Sequence, residues 1–149
     1  MSKTYTGRYK PKNPKKYKGD PSNIVHRSSW ERAYMKRLDL SKQVISWQSE
    51  EKCVWYWNPV KKMKCRYFPD FIVERVAPNG EVIKEMIEIK PSSQVKGPTP
   101  NPKRRTRSWM NQVQTYATNQ AKWKYARKWC EERGMDFVIL TEKDCKEFL

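Results

Sequence analysis

The sequence predicts an α/β fold: a single domain in which a mixed β-sheet is flanked by helices, preceded by a basic N-terminal arm. Three observations lead there. The chain has 149 residues, enough for one hydrophobic core and too few for two. Its apolar periodicity runs helix, strands, helix, strand, helix, the order of a mixed α/β domain. No internal repeat interrupts that order.

Residues 1–19 carry seven basic residues, no acid, and the prolines Pro11 and Pro14. They read as a flexible arm whose Tyr5, Tyr9 and Tyr17 are available to sugar or base faces; residues 20–149 form the folded domain. Ser28 or Ser29 caps a helix through Trp30, Ala33, Tyr34, Arg37 and Leu38. Residues 53–57 and 63–68 are strand-like, and Asn58-Pro59 between them marks a hairpin. Residues 71–76 form a further strand, Pro78-Asn79-Gly80 turns the chain, and residues 82–90 return. Residues 91–106 hold four prolines and a glycine, which leaves a basic loop. Arg107 or Ser108 opens a helix with Trp109, Val113, Tyr116 and Ala117 on one face. Asn119 caps a second helix, carrying Trp123, Ala126, Arg127 and Cys130 and ending at Gly134. Residues 137–140 are a short apolar strand suited to a sheet interior. Thr141 caps a closing helix, with Asp144 three residues on.

Charge narrows the function. Lysine and arginine number 32 against 16 acids, a formal net charge of +16. Residues 1–19 and residues 89–130, which hold ten bases and no acid, together carry +17, so the remainder is nearly neutral. Two acid-free basic blocks around a neutral body are the footprint of a polyanion-binding protein, and nucleic acid is the expected partner. Lys10, Lys12, Lys15 and Lys16 in the arm, and Lys103, Arg104, Arg105 and Arg107 in the loop, are the expected DNA contacts. Lys122 is either a phosphate contact or part of a solvated helix face. A lipid surface is not expected, because the arm cannot form an amphipathic helix. No apolar run reaches the roughly 18 residues of a membrane span, and residues 1–18 lack a signal-peptide core. The four cysteines have no CxxC spacing and stand apart from His26, so reduced thiols are expected and a zinc site is not. Trp55, Tyr56 and Trp57 are half core by alternation, and an outward member meets DNA or a partner protein.

The chemistry centres on Phe68-Pro69-Asp70-Phe71 and Met86-Ile87-Glu88-Ile89-Lys90. Period-two alternation puts Glu88 and Lys90 on one face of a strand and Ile87 and Ile89 on the other. An acid and a lysine on one face of a buried-looking strand are costly unless used. Asp70 follows Pro69 where a strand starts. Asp70, Glu88 and the backbone carbonyl of Ile89 offer the oxygen ligands that Mg²⁺ (or Mn²⁺) takes, and such an ion promotes phosphodiester hydrolysis. Lys90 then orients the attacking water or steadies developing charge, and Glu31 joins the metal site directly or through water. The plainer readings are a surface ion pair for Glu88 and Lys90, a turn for Asp70, and a helix-dipole contact for Glu31.

Pro69-Asp70 followed by Glu88-Ile89-Lys90, with Glu31 on an upstream helix, resembles the PD-(D/E)XK nuclease signature. Seventeen residues separate Asp70 from Glu88, which suits one hairpin. Arg27-Ser28-Ser29-Trp30-Glu31, Trp47-Gln48-Ser49-Glu50 and Tyr67-Phe68-Pro69-Asp70-Phe71 are similar to the TnsA-type endonuclease group. Within that group, Gly7-Arg8-Tyr9-Lys10-Pro11-Lys12-Asn13-Pro14 through Glu31 resembles the head-completion nucleases of contractile-tailed phages. The resemblance implies a restriction-endonuclease-like domain and a metal-dependent DNA endonuclease with Glu31, Asp70, Glu88 and Lys90 as catalytic residues. It also implies a place in the virion head or neck at the packaged DNA end, and in the host cytoplasm during assembly, with portal and neck proteins as neighbours. Related nucleases place a glutamine facing the site, a role open to Gln112 or Gln114. Cutting both strands would suggest a dimer; trimming one would not. The alternative is a structural DNA-end-binding or neck-assembly protein that keeps the fold without the chemistry.

Overall fold

The computed structural model describes residues 6–145. In chain order the elements are β1 (Gly7–Tyr9), a 3₁₀ turn (Pro14–Lys16), β2 (Ile24–His26), α1 (Ser29–Leu40), β3 (Val44–Ser49), β4 (Val54–Asn58), β5 (Met63–Tyr67), β6 (Phe71–Val76), β7 (Val82–Ile89), α2 (Ser92–Lys96), α3 (Arg107–Glu131), β8 (Asp136–Leu140) and α4 (Glu142–Cys145). The main sheet has the order β3-β6-β7-β8. β3, β6 and β7 are antiparallel neighbours, and β8 adds parallel to β7 with Glu88 opposite Ile139. The fold is therefore the expected mixed sheet flanked by helices. Among the described residues no helix is long and apolar enough to cross a membrane.

Alternation along β7 divides the core. Ile87 and Ile89 join Phe71, Val73, Trp47 and the α1 residues Tyr34, Met35 and Leu38 on one side of the sheet. Met86 joins Ile72 with Trp123, Ala126 and Cys130 of α3 on the other. β4 and β5 form a separate antiparallel ribbon. Its Val54, Tyr56 and Tyr67 pack into the α3 side of the core, while Trp55 and Trp57 stay exposed.

α1 starts where its sequence dictates. Ser28 Oγ accepts from the Glu31 amide, and the Glu31 carboxylate accepts from the Arg27 amide, a reciprocal cap. Its C-terminus is closed by the segment expected to be a flexible arm. Buried Asp39 accepts from the Tyr9 hydroxyl at 2.7 Å and from the Lys12 and Asn13 amides at 2.7 and 2.9 Å. The Lys16 ammonium reaches the carbonyls of Leu38, Asp39 and Ser41. Tyr17 is buried against the Trp47 ring with centroids 4.8 Å apart. Over its described residues the arm is thus part of the domain, fixed by polar contacts that no local pattern announces. Lys3 and Tyr5 lie outside the described residues.

Three other differences concern elements. The two helices expected on either side of Asn119 are one 25-residue helix, because no glycine or proline breaks it and the Thr106 side chain caps its start through the Trp109 amide. Residues 91–106 include the short α2, whose Ser92 amide and hydroxyl both donate to Glu142. β1, β2 and β3 were not visible as strands. At the far end the Thr141 amide donates to the Asp144 carboxylate at 2.8 Å, while the Asp144 amide donates to the Thr141 backbone carbonyl, so half of the expected capping box forms. All four cysteines are free, and burial pushes the Cys130 and Cys145 thiols up to about 11.

Candidate active site

The site lies where β7 ends and β6 begins. The antiparallel register brings Phe71 opposite Ile87, so Asp70, one residue before β6, falls beside the last residues of β7. Its Oδ2 accepts the Ile89 amide at 2.7 Å. Glu88 is 3% exposed, on the face that alternation turns toward α3. Its Oε2 accepts from Trp123 Nε1 at 3.5 Å and stands 4.0 Å from Lys90 Nζ. α1 delivers Glu31 to the same place through its first turn.

Four acids and few cations make the electrostatics severe. Burial, then the charges of Glu88 and Glu31, hold the Asp70 carboxyl well above the usual carboxylate range, against the opposing Ile89 hydrogen bond. Burial also raises Glu31, with Glu50 and Glu88 adding to the shift and Arg27 opposing it. Glu50 has a left-handed φ of 53° and is paired to Arg27 Nε at 3.2 Å. Backbone strain of this kind gathers at functional sites. Among the described residues the buried Tyr67 hydroxyl meets no partner at hydrogen-bond geometry; burial and the charges of Glu88 and Asp70 raise its pKa.

This donor set fits a hard divalent cation. Among the described residues no three His, Cys, Asp or Glu side chains are grouped as metal ligands. A cation here would therefore rest on Asp70, Glu88, a backbone oxygen and water. Mg²⁺ is held in that way, by one or two carboxylates with several retained waters. A cation would also relieve the like-charge repulsion that lifts Asp70.

One face of α3 forms the opposite wall. Asn111, Gln114, Thr115, Thr118, Asn119 and Lys122 recur at helical spacing and, with Lys90, Gln94 and Val60, line a cleft of about 450 Å³. Lys122 sits 5.6 Å from the Tyr67 ring. Burial, followed by the charge of Lys90, pushes its ammonium below the usual lysine range. Gln112 is elsewhere. It lines an adjoining cleft of about 630 Å³ between α2 and α3 with Gly97, Arg107 and Tyr116, since two helical residues point roughly 200° apart. Gln94, Asn111 and Thr115 border both clefts.

The structure therefore gathers Glu31, Asp70, Glu88 and Lys90, and adds Gln114 and Lys122. It leaves Lys10, Lys12, Lys15, Lys103, Arg104, Arg105 and Arg107 on the exposed surface, with Arg105 over the Trp109 ring at 5.7 Å. Lys16 is turned to the α1 carbonyls. Tyr67, Asn119 and Trp123 are further site neighbours; the sequence offers Asn119 only as a cap and Trp123 only as a core residue. The signal for Asn119 was its i, i+4 spacing from Asn111 and Thr115, visible only when α3 is read as one helix.

Residues 41–142 match the family described as TnsA-like endonuclease N terminal. That span contains Asp70, Glu88, Lys90 and Lys122 and begins after Glu31. The head completion nuclease of Enterobacteria phage T4 is 36% identical over 141 residues, covering 93% of this chain and 91% of that protein.

Proposed function

The chain belongs to the TnsA-like endonuclease family, and from that premise we propose that it is a Mg²⁺- or Mn²⁺-dependent DNA endonuclease acting on the packaged DNA end during phage head completion. The observation that carries the reading is the convergence of Asp70, Glu88 and Lys90 at one strand end, with the two acids close enough to perturb each other. A buried Glu88 and a half-buried Asp70 are held together at a cost that a structural role does not explain.

Asp70, Glu88 and the Ile89 carbonyl would hold the cation. When bound, it would offset charge on the scissile phosphate and acidify an attacking water. The Lys90 ammonium donates hydrogen bonds to that water or to a phosphate oxygen, steadying charge as it develops. Glu31, with its raised affinity for a proton, accepts a hydrogen bond from the water and turns it toward phosphorus. Gln114 donates to the DNA strand from the α3 wall, and Lys122 adds positive charge beside Lys90. The exposed bases of the arm and of residues 103–107 bind duplex phosphates without reading sequence. In this reading the neighbours are portal and neck proteins and the location is the virion head or neck.

The test is cleavage of plasmid and linear duplex with Mg²⁺ or Mn²⁺. Wild type should nick or cut, EDTA should stop it, and Asp70→Asn and Lys90→Ala should each lower the rate at least about a hundredfold while binding DNA as wild type does. Equal, metal-independent inertness of all three would favour the structural DNA-end-binding role.

A further inference from the structure

We propose that the outward face of the β4–β5 hairpin is a stacking platform for unpaired nucleotides, so that the preferred substrate is a duplex with a single-stranded or splayed end. The inference rests on the DNA-nuclease reading above and narrows its substrate class.

The hairpin alternates strictly. Val54, Tyr56 and Asn58 are buried, whereas Trp55 and Trp57 are 54% and 50% exposed. In the register Arg66 lies opposite Trp55 and Lys64 opposite Trp57. Lys64 Nζ stands 5.9 Å from the Trp55 ring, and the Arg66 guanidinium 5.8 Å from that of Phe68, itself 42% exposed. From Lys52 to Phe68 there is no acid and there are five bases. The face is therefore an array of rings with cations set between them.

That composition selects the occupant. Protein interfaces are enriched in tryptophan but depleted in lysine, and an apolar partner would leave these cations unpaired. A lipid surface calls for an apolar face opposite a polar one, not the two interleaved. A single strand supplies both complements: base faces for the indoles and phosphates for Lys64 and Arg66. An intact duplex hides its base faces, so it cannot use the rings. Trp55 and Trp57, two residues apart on one strand, stand about 6.8 Å from each other along it, which leaves one ring per unstacked base. The platform also leads to the chemistry. Beyond Trp57 the hairpin tip carries exposed Lys61 and Lys62, and Val60 there lines the cleft that contains Lys90 and Lys122.

The experiment is fluorescence anisotropy in EDTA, with the full chain and three labelled DNAs: a blunt duplex and the same duplex bearing a 5′ or a 3′ oligo-dT tail. Wild type should bind one tailed form at least about tenfold more tightly than the blunt one. Trp55→Ala combined with Trp57→Ala should bring tailed binding down to the blunt value, a total loss of about tenfold or more, and leave blunt binding and the melting temperature unchanged. Trp55→Phe with Trp57→Phe should keep most of the tail preference. An equal affinity of wild type for tailed and blunt DNA, or a preference that survives the alanine pair, overturns the proposal. So does a wild-type dimer that the alanine pair dissociates in sedimentation, since the face would then belong to a second copy. DNA bound and cut without tail preference removes this inference alone; failure to bind any DNA removes the nuclease reading with it.

Discussion

A single carboxylate can be a liability in the cluster and an anchor outside it. Asp70 is held beside Glu88 and Glu31, whose charges and its own burial outweigh the hydrogen bond from the Ile89 amide. In metal-free buffer near neutral pH, Asp70→Asn should therefore raise the melting temperature by a few degrees while abolishing cleavage, a trade-off common at active sites; calorimetry beside the cleavage assay checks it. Asp39 is the opposite case. Burial pushes its pKa up, but hydrogen bonds from Lys12, Tyr9 and Asn13 outweigh that and hold it below the usual value. A depressed folded-state pKa gives stability that is present above the unfolded carboxylate value, about 3.9, and is lost as pH falls through the folded one. The Lys12 and Asn13 amides bond to different Asp39 oxygens, so Asp39→Asn sets an amide donor against one of them and should cost about 1–3 kcal/mol at neutral pH. The deficit should shrink in acid denaturation profiles below about pH 4.

Elements show why some of the site was legible and some was not. Glu88 and Lys90 stood out because two charges on one strand face break the apolar pattern, and Asp70 because proline marks a strand start. β3 stayed hidden because Ser46, Gln48 and Ser49 are buried polar residues, which erase the alternation that marks a strand. β1 and β2 have three residues each, too few for any period. The docking of the arm is not legible in its local sequence because Asp39, its anchor, is 26 to 30 residues away from the groups it holds. α3 is polar along the wall it presents to the cleft, so its apolar stripe looked like two short helices. Its continuity separates two neighbouring glutamines. Gln114→Ala should lower kcat/KM roughly tenfold or more, while Gln112→Ala should change it less than about twofold, as steady-state cleavage of a short duplex would reveal.

At the scale of the molecule, charge sets affinity. Binding of blunt duplex should weaken steeply with salt, and each engaged cation contributes about 0.9 to the log–log slope. Changing Lys103, Arg104, Arg105 and Arg107 together to glutamine should flatten that slope by about 3 to 4, measured by anisotropy titration from 50 to about 300 mM salt. The arm must be probed by point changes at Lys10, Lys12 and Lys15, because deleting residues 1–19 would strip the clamp from α1. The parallel pairing of β7 with β8 has a biosynthetic consequence. The strand that bears Glu88 is flanked on one side only until β8 docks, and the Lys90 amide reaches its acceptor, the Leu140 carbonyl at 2.9 Å, only then. A chain emerging from the ribosome thus carries its acids and basic surface long before Lys90 is fixed. On the proposed reading, a chain that stops short of Leu140 should lack cleavage activity, because Lys90 is not yet fixed beside Glu88.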